Sequence, residues 1–374
     1  MTNLTFTPIL DVGSETSADA WALTGLVAVE SAADFADYGH TDLTSTYEVW
    51  VGSLGRTDYH AKQWFVVTAE GAPREPDSVL GYLMLSFPRV DNTHLAFVTA
   101  AVDPALDLEL RRQILDALLE QADEIAGAAG RTTLQGWTEC KGEPEHGSPN
   151  RLEPPTGIGA IDSSDLSTGI YLAHGWAFEQ AERYSVLDLP VPADKLAELT
   201  ARAAAAAKPE YELVSWTDHT PEHWRAEHAR LQQAMSTDAP SADLEIEPTV
   251  YDQERLTYFE DSLGKSGRGY LAVAARHVAS NTLAGFTLVE YPLDQPEVVF
   301  QEATLVHKEH RGHRLGMWIK ASMLSELAQV RPQAARMHTW NAGENDYMLA
   351  INIELGFTQR LVTAAWQKRL EAGA

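Results

Sequence analysis

The fold is decided by the stretch Val306-His307-Lys308-Glu309-His310-Arg311-Gly312-His313-Arg314-Leu315-Gly316. Before it, Val298 to Val306 is an apolar run of the kind that forms a buried strand. After it, Leu315, Trp318, Ile319, Ser322, Met323 and Leu327 recur at the spacing of one helix face. The turn between them gathers Lys308, Arg311 and Arg314 with His310 and His313. A helix start offers unpaired amide N–H groups at the positive end of the helix dipole, so a basic strand-to-helix turn predicts an anion site, a cradle for phosphate or pyrophosphate. Gly312 and Gly316 let the backbone approach a ligand. No Gly-Lys-Ser/Thr follows, which excludes a Walker-type loop, and Gly-x-Gly-x-x-Gly is absent, which excludes a dinucleotide fingerprint.

Working outward, Ala335 to Trp340 reads as a strand and Asn345 to Leu355 as a helix stopped by Gly356. Leu361 to Leu370 reads as a final strand. The first half repeats this order. Leu95 to Val102 is a strand, Leu110 to Ile125 an amphipathic helix, Thr132 to Thr138 a strand, and Gly175-Trp176-Ala177-Phe178 echoes Gly356-Phe357. Strands alternating with helices in both halves predict a duplicated α/β architecture with a mixed sheet in each copy. Pro190, Pro192 and Pro209, with the alanine run Ala203 to Ala207, place a connecting segment between the copies. The expected divisions are residues 1–192, a connection at 193–210, and residues 211–374.

Composition bounds the function. At 374 residues the chain has room for two cores. With 28 Lys plus Arg against 54 Asp plus Glu, the net charge is −26, which disfavours nucleic acid and anionic membrane as partners. No apolar run reaches the roughly 20 residues of a membrane span. Met1 to Val12 lacks a basic stretch followed by an apolar core, so no secretory leader is expected and the expected location is the cytoplasm. The single cysteine, Cys140, forms neither an internal disulfide nor a thiolate metal site and is expected to be inert. His307, His310 and His313 lack a carboxylate partner pattern, so no metal site is expected. The tryptophans, Trp318 and Trp340 among them, read as core or pocket wall.

Val306 to Gly316 resembles the acyl-coenzyme A signature of the GNAT N-acetyltransferase superfamily, Gln/Arg-x-x-Gly-x-Gly/Ala. Here it stands as Arg311-Gly312-His313-Arg314-Leu315-Gly316, with Arg314 where the signature has its middle glycine. A second family motif follows: Thr339-Trp340-Asn341, Asn345, Met348, Asn352 and Leu355-Gly356-Phe357. The duplicated order is similar to tandem-domain members of the superfamily. The resemblance implies two GNAT-like domains, each a splayed mixed sheet flanked by helices, with acetyl-coenzyme A as co-substrate and no metal. Backbone amides of Arg311, Gly312, His313, Arg314, Leu315 and Gly316 would hold the pyrophosphate. The strand ending at Leu305 and Val306 would pair with the pantetheine arm, and Asn341 and Asn345 would contact the cofactor or cap the helix around it. The implied reaction is acetyl transfer to the amine of a small molecule in the C-terminal domain. The alternative is an acyl-coenzyme A-binding sensor or scaffold without catalysis.

The first half departs at the equivalent turn, which reads Asp103-Pro104-Ala105-Leu106-Asp107-Leu108-Glu109. Its carboxylates would repel a pyrophosphate, so the N-terminal domain is expected to be degenerate. For catalysis, Glu302 is an acid inside an apolar strand, where burial would raise its pKa and suit it to act as base, although a water relay is equally compatible. Many family members use a helical Tyr as proton donor; the matching position here is Asn352, and Tyr347 nearby is a weaker candidate. The polar loop Met235 to Pro240 places Asp238 where it would bind a cationic acceptor or cap a helix.

Overall fold

A computed structural model describes residues 2–14, 16–53, 57–238 and 240–371. Two compact units emerge. One comprises Met1–Glu182, Ser241–Ile246 and Leu361–Ala374, and the other Arg183–Pro240 and Glu247–Arg360.

In chain order the first half contains β1 (Leu4–Pro8), α1 (Ala20–Tyr38), α2 (Tyr47–Ser53), β2 (His60–Ala69), β3 (Gly81–Pro88), β4 (Leu95–Val102), α3 (Leu108–Ala128), β5 (Thr133–Cys140), the short pair β6 (Arg151–Leu152) and β7 (Ile161–Asp162), α4 (Leu166–Ala173) and β8 (Ala177–Asp188). Next come α5 (Ala193–Ala207), β9 (Tyr211–Thr217), α6 (Arg225–Asp238), α7 (Gln253–Lys265), β10 (Arg268–His277), β11 (Thr282–Pro292), β12 (Val298–Val306), α8 (Leu315–Val330), β13 (Arg336–Ala342), α9 (Asp346–Leu355) and β14 (Thr358–Arg369).

The sheet of the first unit runs β1-β2-β3-β4-β5-β14. Its pairs are antiparallel except β4 with β5, which are parallel. One face packs on α3 and α4 through Ile114, Leu118, Ala122, Ile170 and Tyr171. The other face takes Leu23, Leu26 and Val29 of α1. In α3 the buried Ile114, Leu115, Leu118, Leu119, Ala122 and Ala126 form one stripe, the pattern expected of a helix lying on a sheet.

The second unit has the order β8-β13-β12-β11-β10-β9. Here β12 and β13 are the parallel pair. Trp216, Tyr270, Phe286 and Leu288 pack beneath α6 and α7 on one face. On the other, α8 is buried nearly all round: Leu315 to Ala321 are buried without interruption. The cover is α5, whose Leu196, Leu199, Ala203 and Ala207 share a core with Trp318, Ile319 and Met323. An apolar face on every side of a helix requires such a second layer.

The linear division into 1–192, 193–210 and 211–374 does not follow these units. Most of 193–210 is α5, a packed helix of the second unit. The final strand β14 pairs with β5 in the first unit, Val362 opposite Cys140 through Arg369 opposite Thr133. Periodicity marks a strand but carries no information about which sheet edge completes it. Cys140 is the buried last residue of β5, and burial pushes its thiol up to about 12. No helix among the described residues is long and apolar enough to cross a membrane.

Candidate functional site

The second unit's site begins where β12 and β13 part. Their pairing covers Val298–Phe300 against Arg336–His338 and then stops, so the remainder of β12 is bonded on its β11 side. Between β11 and β12 the register shifts: Leu288 faces Ala303, and the next pair is Val289 with Gln301. Glu302 is therefore the extra residue of a β-bulge, a device that bends a strand and re-aims a side chain. The bulge takes Glu302 out of the strict alternation of side chains along its strand, which no single strand's pattern reveals.

Glu302 is solvent-exposed at the bulge, although protein atoms crowd around its carboxyl group. Desolvation raises its pKa, with Arg268 opposing. Glu290 on β11, which sequence reasoning missed, is buried and lies close enough to couple with it. Desolvation and then the Glu302 charge raise Glu290, while Arg268, with Nη1 3.7 Å from its carboxylate, pulls it down. Two carboxylates beside one guanidinium titrate as a pair, with Glu290 pushed up to about 8.

At the far end of β12 the turn contains a 3-10 segment at Lys308–His310, extended Arg311, then Gly312 with φ +90°. Arg314 is in the left-handed conformation, φ 56° and ψ 20°, directly before α8. The signature's middle glycine is thus replaced by an arginine that keeps the left-handed backbone glycine adopts most easily. Arg314 provides no side-chain cap, and the first intrahelical bond is Trp318 N–H to Arg314 O. The N–H groups of Leu315, Gly316 and Met317 precede that bond. A Cβ on Gly312 would meet nothing within 4 Å, so this backbone is open to a ligand. Gly316 serves packing instead: its Cβ would come 2.9 Å from Ile351 Cδ1 of α9.

Arg311 braces the turn. Its Nε donates to Val306 O at 3.1 Å and its Nη2 to Asp238 Oδ2 at 2.9 Å. The expected polar loop at 235–240 is largely the last turn of α6, in which Ser236 and Thr237 hydroxyls donate back to Gln233 and Ala234 carbonyls; Ala239 lies outside the described residues. Asp238 is the ion-pair partner of the turn's arginine, a long-range pairing invisible in the sequence. Leu305 points into the core beneath α6 and α7, and Val306 packs against the α5/α8 core, so both offer their backbone to the site. His310 accepts a place among aromatics: Tyr211 Oη is 3.0 Å from its Nδ1, and His277 is 5.1 Å away. Burial, then the neighbouring His277 and His307, lowers its pKa.

The second motif is engaged internally. Asn345 caps α9, accepting from Met348 N–H at 3.3 Å. Asn352 is buried; its Nδ2 donates to Asn341 Oδ1 and its Oδ1 accepts from Lys320 Nζ, both at 2.7 Å. Lys320, also missed, is 2% exposed, and burial pushes its pKa down to about 7. A lysine inside the apolar run Leu315 to Leu324 is the signal that marks it. Tyr347 is 89% exposed on the outer side of α9, away from this network.

In the first unit the equivalent turn is self-filled. Asp107 caps α3, its carboxylate accepting from Leu110 N–H at 3.0 Å, and Asp103 accepts from Ala105 N–H at 2.9 Å.

Comparison with known proteins places this geometry in context. No family model matches the chain, and no curated protein matches it. Among solved structures, a tandem GNAT protein from the clavulanic acid biosynthesis pathway, determined without acetyl-coenzyme A, is 26% identical with TM-score 0.70, covering 100% of this chain and 99% of its own. A GCN5-related N-acetyltransferase from Sphaerobacter thermophilus is 12% identical, TM-score 0.58, over 99% and 97% of the two chains. A putative acetyltransferase from Pyrococcus horikoshii is 13% identical, TM-score 0.53, over 100% and 91%.

Proposed function

We propose that this chain, which has the tandem GCN5-related N-acetyltransferase fold, transfers acetyl from acetyl-coenzyme A to the amine of a small molecule, with the chemistry in the second unit. The observation that carries the reading is the start of α8. Among the described residues no carboxylate caps its N–H groups, which stand beside the open backbone of Gly312, at the end of a strand that has parted from its parallel neighbour. Such a helix start favours an anion by its free donors and its dipole. Backbone amides of Gly312 to Gly316 would hold a pyrophosphate, with Arg311 bracing the turn. The edge of β12 that has left β13 would pair with the pantetheine arm.

Bound acetyl-coenzyme A supplies the activated acyl group, a thioester. The chain's part is to bring the amine to it unprotonated. Glu302, whose pKa desolvation raises, takes the proton of the ammonium directly or through water. The amine then forms the amide bond as the C–S bond breaks, and the thiolate leaves to be protonated from solvent. Tyr347 is too exposed to serve as donor in this reading. The acidic surface of the chain favours a cationic acceptor. The first unit, with Asp107 in its own helix start, binds no coenzyme A.

The experiment is thermal unfolding with acetyl-coenzyme A at about 100 times its dissociation constant, which adds roughly 2.7 kcal/mol to the state that binds it. The parent shifts and Arg311→Glu, which also sets a like charge against Asp238, does not. No shift in the parent removes the reading. A second reading, an acyl-coenzyme A sensor or scaffold, is favoured by one observation: the family's donor position is Asn352, locked between Lys320 and Asn341. Binding without acetylation of any member of a broad amine panel selects it.

A further inference from the structure

The buried chain Lys320–Asn352–Asn341 has a direction. Lys320 Nζ donates to Asn352 Oδ1 at 2.7 Å, and in its protonated form it has only donors and must face that carbonyl oxygen. The other end of that amide is then fixed as donor, and Nδ2 gives its proton to Asn341 Oδ1 at 2.7 Å. Asn341 is in turn left with its Nδ2, which has no protein partner among the described residues. An amide is nearly symmetric in shape, and nothing but its partners chooses which end faces which way. Here the choice originates at one lysine, 2% exposed, wedged against Met348 Sδ at 3.9 Å and over the Phe357 ring at 5.3 Å.

The position of Asn341 gives this polarity a use. It stands three residues beyond His338, the last residue of β13 paired with β12, and is half-buried. A ligand entering where the strands part would pass close to this side chain, which can donate but whose oxygen is already taken. We propose that Lys320 is a positioning residue: acting through Asn352, it fixes the Asn341 amide with its N–H groups available to a ligand carbonyl, namely an amide or thioester carbonyl of the acyl-pantetheine arm. This rests on the acyl-coenzyme A reading above and adds to it a device for choosing ligand chemistry. Burial of a polar group at this depth is costly unless its bonds are complete, and the chain is complete only with the donor end facing outward.

Asn352→Asp separates polarity from packing. The carboxylate still pairs with Lys320 but has no proton for Asn341, whose amide must turn its Nδ2 inward and present oxygen to the ligand. Acetyl-coenzyme A and adenosine 5′-diphosphate, which has the pyrophosphate but no pantetheine arm, are titrated calorimetrically into the parent, Asn352→Asp, Lys320→Met and Asn341→Asp. The expected result is about tenfold weaker acetyl-coenzyme A binding in each variant, with adenosine 5′-diphosphate binding unchanged and the melting temperature of Asn352→Asp equal to or above the parent's. Asn341→Asp, at a half-buried site, keeps the test alive should a core variant fail to fold. Unchanged acetyl-coenzyme A affinity in Asn352→Asp and Asn341→Asp overturns the proposal, as does equal weakening of both ligands. A parent that binds neither ligand overturns the acyl-coenzyme A reading itself, and this inference falls with it.

Discussion

The turns after β4 and after β12 are two answers to one problem. Each follows a strand that pairs in parallel with its neighbour over a few residues and then diverges, and each leads into a long helix. Every helix start leaves N–H groups without partners. In the first unit Asp107, with extended backbone at φ −64° and ψ 155°, folds its own carboxylate onto Leu110 N–H. In the second, Arg314 is left-handed, offers no cap and carries positive charge. The first turn fills its helix start with its own carboxylate, and the second leaves its helix start without a side-chain cap. A duplicated fold can thus keep its architecture while its two helix starts differ in whether a side chain fills them.

The helices behind the turns differ in the same sense. In α3 one face is buried and the opposite face is polar, whereas α8 is enclosed and carries Lys320 within its buried run. Enclosure predicts the largest effect. The folded-state pKa of Lys320, about 7, lies below the ordinary 10.5 because burial disfavours the charged form. The unfolded chain therefore binds the proton more tightly, and stability rises with pH across the window from about 7 to 10.5. At about 1.4 kcal/mol per unit, the cost of holding the charge is several kcal/mol at and below neutrality. Lys320→Met should raise the unfolding free energy most near pH 6 to 7, with the gain shrinking toward pH 10. A pH-independent difference in denaturant midpoints would show that the lysine is not titrating in the fold.

Next in size is the chemistry beside the second turn. Glu302→Gln should reduce turnover by about a hundredfold or more while acetyl-coenzyme A affinity changes little, the behaviour of a general base. Since desolvation raises both carboxyl groups and the Glu302 charge raises Glu290 further, activity should be lost as pH falls through an apparent pKa above 4.5 that belongs to the pair. Glu290→Gln removes one of the two charges and should move that limb to lower pH. An unmoved limb would mean that the titrating group lies elsewhere.

Much of this contrast was legible beforehand. The basic turn, its glycines, the strand before it and the helix after it all stand where periodicity and composition put them, and β12 and β4 begin and end at the expected residues. The acids of the first turn also announced themselves, though as repulsion rather than as the Asp107 cap they form. What stayed hidden depends on contacts distant in sequence. Asp238 meets Arg311 across 73 positions, and β14 pairs with β5 across more than two hundred. The bulge at Glu302 is a matter of register between two strands, which no single strand's pattern encodes. Lys320 and Glu290 were visible as charges inside apolar runs, but only the packing around them shows how deeply they are buried and which partners, Asn352 and Arg268, they meet.

The smallest effect tests the comparison most directly. Asp107→Ala removes one carboxylate cap from α3 and should cost about 1 kcal/mol, read as faster hydrogen exchange in the first turn of α3 with the second unit unaffected. Asp107→Asn retains an oxygen acceptor and should lose only a fraction of that. The more telling measurement adds acetyl-coenzyme A to Asp107→Ala in the Arg311→Glu background, where the second turn no longer binds. The first turn still has Asp103 and Glu109, no glycine and no left-handed residue before its helix, so removing the cap should yield an open helix start that remains too acidic and too closed for a pyrophosphate. No stabilisation by the ligand is expected. A melting shift restored by that one substitution would mean that Asp107 alone separates the two turns, and that the first unit is a binding site held shut rather than one that has lost its chemistry.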